Sequence, residues 1–270
     1  MIDLHIHTIY SDGEYDETKI IEKIKKAGIK EFAICDHDTI EGSKKVYKKL
    51  KETREKLIFH SGVELSCRAT EYDKPMNCHI LVRDFDFNDE ILKSLVKEIS
   101  YLRKQKINRM VELIKLAYGI EIKKKEIDEI LKTTNSFGKP HMYKLLSKYG
   151  NFNREEYYDC MDKLNTNDLK LSAEEVIRLL KNRKANITLA HPMEIKKEYN
   201  LSFIELDKFI KYLKNLGLDA LETKHSSHTK FDSLILSLMA ESYNLQETAG
   251  SDYHGPNVKP DVSLGKCYKD

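Results

Sequence analysis

The sequence contains no tryptophan and only five cysteines, five prolines and eleven glycines among 270 residues. The missing tryptophan excludes nothing by itself, but the other shortages do. So little glycine and proline excludes a collagen-like or low-complexity chain. The cysteines, Cys35, Cys67, Cys78, Cys160 and Cys267, are odd in number and form no CxxC pair. That pattern excludes a disulfide framework and a zinc finger, and it fits reduced thiols. No apolar run is long enough to span a bilayer, and the start MIDLHIHT lacks the basic and apolar regions of a secretory leader. A cytoplasmic protein without membrane contact is expected. An excess of one charge is lacking too: 46 Lys and Arg stand against 44 Asp and Glu, a formal +2. That balance argues against a chain whose main task is to coat nucleic acid or an acidic membrane, and it leaves room for a local basic groove.

What is present is the material of a large α/β domain, with 40% hydrophobic and 33% charged residues. Strand and helix patterns alternate at the start. A strand is predicted over 2–7, then a helix carrying Ile20, Ile21 and Ile24 on one face that stops at Gly28, then a strand over 31–35. A helix over about 43–57, strands over 57–65 and 77–82, and an acidic turn at 84–89 follow. From about 90 to 169 the period becomes helical, through Leu92, Leu95, Val96, Ile99, Leu102, Met110, Val111 and Ile114 and then three shorter helices over 125–131, 141–148 and 154–164. Alternation resumes with Ser172 and Glu175 as a capping box, a strand over 186–190, Ser202 and Glu205 opening the next helix, and strands over 219–222 and 247–250. Seven strands favour a parallel βα barrel over an open sheet. The expected organisation is a discontinuous barrel, 1–89 and 170–270, interrupted by a helical insertion over 90–169.

His5 and His7 stand two apart on the first strand, so both leave the same face near its C-terminal end. Alone, an HxH pair is also what two ordinary strand histidines look like. The pattern recurs, however: Asp12 follows in a loop, Cys35-Asp36-His37-Asp38 ends the second strand, Glu64 ends the third, and His79 lies in the fourth. Ala190-His191-Pro192 and Gly250-Ser251-Asp252-Tyr253-His254-Gly255 end later strands. Six histidines and three carboxylates thus gather where a barrel would deliver them to one rim, and so much buried charge needs cations.

The ordered segments DLHIHTIYSDG, ICDHDTIEG, GVELS, NCHI, LAHP and GSDYHG resemble the motifs of the PHP (polymerase and histidinol phosphatase) family over residues 2 to about 255. Within it they are most similar to small phosphoesterases that act on nucleotides and RNA 5′ ends. The resemblance implies a distorted seven-stranded βα (TIM-like) barrel with a helical insertion and two or three divalent transition metals at its C-terminal rim. It implies that His5, His7, Glu64 and Asp252 hold one metal, that Glu64 bridges to a second completed by His79 and His191, and that Asp12, His37 and His254 hold a third. Imidazole with carboxylate suits manganese, zinc or iron better than calcium or a magnesium cage. The implied reaction is hydrolysis of a nucleoside 5′-monophosphate, a 3′,5′-bisphosphate or a short 5′-phosphorylated RNA by a metal-bound hydroxide, which needs no Ser or Cys nucleophile. Cys35 is then a small core residue.

Outside the ligand set, Lys139-Pro140-His141 resembles a basic-Pro-His motif facing the substrate phosphate, with Lys where Arg is commoner; a helix start with Pro at its first position explains Pro140 equally. His228 is the candidate for phosphate binding or leaving-group protonation, acting with Asp252 and His254 as the catalytic set. Arg68 is a candidate phosphate contact or a surface arginine, His225 is unassigned, and His60 is structural. Arg103 and Arg109 line an RNA groove or form a charged helix surface. The alternatives are a histidinol-phosphate phosphatase of the same family and a noncatalytic metal-binding accessory domain. The expected partner is a phosphorylated small molecule or short oligonucleotide, with no obligate protein partner.

Overall fold

The computed structural model describes residues 1–132, 134 and 137–268. The chain opens with β1 (Ile2–Ile6), α1 (Glu17–Lys26), β2 (Glu31–Ile34), α2 (Glu41–Thr53), β3 (Ile58–His60), β4 (Gly62–Ala69) and β5 (Met76–Arg83). The helical segment follows as α3 (Glu90–Tyr118), α4 (Lys124–Leu131), α5 (Lys139–Leu146) and α6 (Arg154–Asp162). The chain then runs through β6 (Leu171–Ser172), α7 (Ala173–Leu180), β7 (Asn186–Leu189), α8 (Pro192–Glu198), α9 (Phe203–Leu216), β8 (Ala220–His225), α10 (Lys230–Ser242) and β9 (Gln246–Gly250).

Local chemistry explains most boundaries. Asp16 caps α1 by accepting from the Lys19 N–H at 2.8 Å, and Ile20, Ile21 and Ile24 bury one face. Ser202 and Glu205 close a reciprocal capping box on α9, as expected. Ser172 caps α7 through the Glu175 N–H, but its hydroxyl donates to Glu174. The second expected helix ends early, at Thr53, because Arg54 turns left-handed at φ 53°.

Two hydrogen-bonded sheets make the barrel, β1-β2-β3 and β6-β4-β5-β7-β8-β9. They meet at two seams. At one, Ile6 bridges Tyr253 and the Asp252 N–H donates to the His5 carbonyl at 2.8 Å. At the other, His37 bridges Glu64 and the Asp38 N–H donates to the Glu64 carbonyl at 2.8 Å. With β3 and β4 as one bent stave and β6 outside the ring, the staves number seven among the described residues. The fold is a distorted βα barrel. It departs from the expected all-parallel order at one place: β5 runs antiparallel to both β4 and β7. Only six residues join β4 to β5, too few for a crossover helix, so the chain must turn back as a hairpin. The third expected strand is also two strands, and Glu64 is the third residue of β4 rather than a strand end.

The apolar core divides. One cluster lies between the larger sheet and α3, α7, α9 and α10, and another lies under α1 and α2. A third is confined to the helical segment, where Ile107, Met110 and Ile114 of α3 meet Phe137, Met142, Leu145, Tyr157 and Met161. The 29-residue α3 enters both, since its Leu92, Leu95 and Ile99 pack on the barrel. Among the described residues no helix is long and apolar enough to cross a membrane.

Candidate active site

The strand-end residues converge on Glu64. Its Oε2 lies 3.2 Å from Nε2 of both His5 and His7 and 3.1 Å from His37 Nδ1. Its Oε1 lies 2.8 Å from His79 Nδ1 and 3.0 Å from His191 Nε2, and those two rings are 3.3 Å apart at the same atoms. Asp252 Oδ1 approaches His7 Nε2 at 3.1 Å and His5 Nε2 at 3.6 Å. Asp12 Oδ1 is 3.2 Å from His254 Nε2, and its Oδ2 is 3.8 Å from His37 Nε2. Within groups whose donor atoms lie inside 4.8 Å of one another stand His5, His7, Glu64 and Asp252, and separately His7, Asp12, His37 and His254. All nine residues expected at the rim are therefore brought together.

The donors fit a divalent cation better than they fit one another. His5 Nε2, His7 Nε2, Asp12 Oδ1, His37 Nδ1 and Glu64 Oε2 are sealed from solvent, and no hydrogen bond satisfies them. Leaving that many buried polar atoms unpaired is costly, and a cation among them supplies the missing partner. The other ring nitrogens are tied back, which aims the free lone pairs inward: His5 Nδ1 meets Glu222 at 3.0 Å and His254 Nδ1 meets the Asp252 carbonyl at 2.9 Å. Two junction residues take a left-handed backbone to reach the centre, His191 at φ 27° and Asp252 at φ 56°. Such strain costs ~1–3 kcal/mol per residue and persists where the surroundings over-determine it.

Electrostatics within the cluster are mutual. Burial raises the Glu64 carboxyl, but His37, His5 and His79 outweigh it and hold the group well below the carboxylate range. Burial lowers His5, yet Glu222, Glu64 and Asp252 raise it well above the ordinary histidine value. His37, for which burial dominates, is pushed down to about 3. The rim thus holds anionic carboxylates beside imidazoles of unequal basicity.

Several supporting residues were not foreseen. Glu222 reaches both His5 Nδ1 and the His191 N–H, the latter at 2.8 Å; burial raises its carboxyl, but His5 and His225, with His191, outweigh it and hold the group down to about 2. Its position at the end of an expected strand was the available signal. Asp36 accepts from the Thr8 N–H at 2.7 Å and from Ser11, which fixes the loop before Asp12. Lys259 pairs with Asp252 from beyond the last motif, where nothing in the sequence marked it. His225 lies 3.5 Å from Asp252 Oδ2.

The remaining candidates are dispersed. Arg68 lines a cleft of about 850 Å³ and donates to Asn77 at 3.1 Å. Lys139 lines the same cleft but is paired with Asp162. His141 Nδ1 accepts the Gly138 N–H at 3.1 Å, so the residue serves the start of α5 while Asp12 acts on it electrostatically. His228 is fully buried, its Nδ1 3.2 Å from the Thr223 carbonyl, and burial lowers it to about 4. Arg103 is engaged with Asp38, and Arg109 makes a bidentate pair with Asp168 at 2.6–2.7 Å. Cys35 is a buried core thiol pushed up to about 12 by burial. His60 bonds Asp84 at 2.5 Å and Glu31 at 3.0 Å, away from the rim.

A barrel whose rim collects imidazoles and carboxylates around unsatisfied donors defines a metal-dependent hydrolase. The PHP domain family profile matches residues 3–220, and the chain belongs to that family. A 5′-3′ exoribonuclease of Haemophilus influenzae is 25% identical, over 94% of this chain and 90% of its own length. A phosphoribosyl 1,2-cyclic phosphate 1,2-diphosphodiesterase of Eggerthella lenta is 26% identical, over 94% of both chains. A solved structure from Bifidobacterium adolescentis, named as a metal-dependent phosphoesterase, shares 27% identity and a TM-score of 0.80, covering all of this chain and 92% of that one. With these relatives and this rim, the protein is a metal-dependent phosphoesterase.

Proposed function

We propose that the chain hydrolyses phosphate esters of nucleotides or of 5′-phosphorylated RNA, using two or three transition ions held by the nine rim residues. The observation that carries this reading is the set of sealed, unsatisfied donors around Glu64. In the proposal His5, His7, Glu64 and Asp252 hold one ion, Glu64 with His79 and His191 a second, and Asp12 with His37 and His254 a third. Manganese, zinc or iron suits this donor set. Bound there, such ions supply Lewis acidity toward a phosphoryl oxygen and acidify a water.

The residues around them have definable tasks. Glu222 holds the His5 ring in one tautomer and pins the backbone that presents His191. Asp36 holds the loop that carries Asp12. The segment 90–169, treated as an insertion between barrel halves 1–89 and 170–270, walls the cleft from which His79 and His191 are reached. Arg68 and Lys139 border that approach, His141 stays with the start of α5, and the His228 ring packs against His225 with centroids 5.2 Å apart. The exoribonuclease and phosphodiesterase names of the relatives favour nucleotide-derived esters over histidinol phosphate.

The test is a substrate panel with the manganese-loaded protein: nucleoside 5′-monophosphates, 3′,5′-bisphosphates, 5′-phosphorylated oligoribonucleotides and histidinol phosphate. Turnover is expected on nucleotide substrates. A dominant response to histidinol phosphate would overturn the reading.

A further inference from the structure

One helix of the outer layer is apolar on the side that faces water as well as on the side that faces the barrel. α10 packs on β8 and β9 and buries Ser233, Leu236, Met239 and Ala240. On its other side Phe231, Leu234 and Leu238 are 62%, 57% and 51% exposed. Spacings of three and four residues set these side chains in one row, and the half-buried Ile235 lies beside it. At the head of the row Phe231 meets Phe203 of α9 with ring centroids 6.2 Å apart, and the next residue of α9, Ile204, is 69% exposed. Single exposed leucines are ordinary, but a contiguous apolar row that spans two helices marks a contact surface.

The charges that close the row show what covers it. Lys230 stands in the first turn of α10 and Glu241 in the last, so each lies near the helix end whose partial charge has its own sign. Among the described residues neither has an ion-pair partner. Asp232, which could have answered Lys230, instead accepts from the Thr229 N–H at 2.9 Å and the Thr229 hydroxyl at 2.7 Å. Both charges are thus mildly unfavourable in a monomer. A surface for an acidic membrane would carry cations at both ends, whereas this row carries one charge of each sign. It is nearly its own reverse about Leu236: Leu234 and Leu238 are equidistant from that point, and Lys230 and Glu241 are so to within one residue. A second α10 laid antiparallel across a two-fold axis there sets Leu234 against Leu238 of the second copy and Lys230 beside its Glu241. Symmetry makes each contact twice, and each misplaced charge then faces its opposite.

We propose that the outer face of α10 joins two copies of this chain about a two-fold axis, with their α10 helices antiparallel. A single helix face with its flanking side chains is at the small end of protein interfaces, so the dimer is a micromolar one rather than an obligate one.

The experiment is sedimentation velocity on the full chain from about 1 to 200 µM, where a concentration-dependent monomer–dimer equilibrium is expected. Leu234→Glu/Leu238→Glu should weaken association about a hundredfold or more with native circular dichroism, because in the monomer both side chains already lie mostly in water. Lys230→Glu and Glu241→Lys each set like charges across the axis twice, and each should weaken association about tenfold. The exchange Lys230→Glu/Glu241→Lys should restore it. An equimolar mixture of the two single variants should associate at least as tightly as wild type, since every pair between copies is then opposite in sign. A merely structural role of either charge gives no such rescue in a mixture. A monomer throughout the range, a dimer indifferent to Leu234 and Leu238, or single variants that fail to complement one another would overturn the proposal. So would a monomeric chain that binds phosphatidylglycerol vesicles through Leu234 and Leu238, which gives the row to a lipid surface.

Discussion

Asp252, left-handed just after β9, and His254, two residues on, face different sides of the cluster, Asp252 toward His5 and His7 and His254 toward Asp12. Asp252→Asn and His254→Ala remove donors from the rim and little core volume. Each is expected to abolish hydrolysis with native circular dichroism, and near-wild-type turnover under saturating metal in both would count against the cluster. Glu222 touches no expected ion directly but orients two donors, so Glu222→Gln should lower kcat about 10–100-fold and weaken metal binding, readable by competition with a chelating dye. His60 illustrates the opposite case, an imidazole that serves stability. The Asp84 hydrogen bond, against burial and with help from Glu31, raises it above the ordinary value, while His60 lowers Asp84. The His60 contribution is complete below the unfolded value of ~6.5 and is lost as pH rises through the higher folded value. Asp84 is partly exposed, which limits the effect to ~1 kcal/mol. His60→Gln should therefore lower the melting temperature more at about pH 6 than at about pH 9, and an equal loss at both would show that the charge is not involved.

Elements set the precision of the site. The hairpin of β4 and β5 places Ser66 opposite His79 and Glu64 opposite Leu81, so Glu64 and His79 reach the same face without a crossover between them. The β1–β9 seam is equally exacting. A Cβ on Gly250 would lie 2.3 Å from His5 Cβ and 2.5 Å from Glu222 Oε1, so only glycine lets β9 pack there. Gly250→Ala is expected to destabilise the fold by ~1–3 kcal/mol through overpacking and to lower metal content at the same time. A melting curve and metal analysis check both, and an unchanged protein would show the seam is looser than drawn. The helix α3 is tied to the rim where Arg103 meets Asp38 and the Phe137 carbonyl, the latter at 3.2 Å.

For the molecule as a whole, bound metal and stability are linked. Ions that bind the folded rim and not the unfolded chain stabilise by RT ln(1 + [L]/Kd), about 2.7 kcal/mol at a hundredfold excess over Kd. The loaded protein should contain more than one ion per chain and melt several degrees above the chelated protein. Because Glu64 faces His5, His7, His37, His79 and His191, Glu64→Gln should lose more than one ion. Elemental analysis of wild type and variant at one ion or fewer, unchanged between them, would overturn the multi-ion centre.

The sequence by itself determined the composition of the rim and the order in which the barrel supplies it. His5 and His7 share a face because a strand alternates, and His37 and His191 follow short, largely apolar runs that suit buried strands. The long α3 was legible in its apolar period, and the caps of α7 and α9 in Ser172 and Ser202. Other features were decided by partners distant in the chain. That β5 lies beside β7, about a hundred residues later, and antiparallel to it was decided by that distant pairing, since period-two alternation looks the same in either direction. Glu222 gains its role from His5, 217 residues away. Lys139 and Lys106 line the same cleft, yet among the described residues only Lys139 meets a carboxylate, that of Asp162, which no local pattern distinguishes. Local periodicity records which face a residue leaves from, and only packing decides what it meets there.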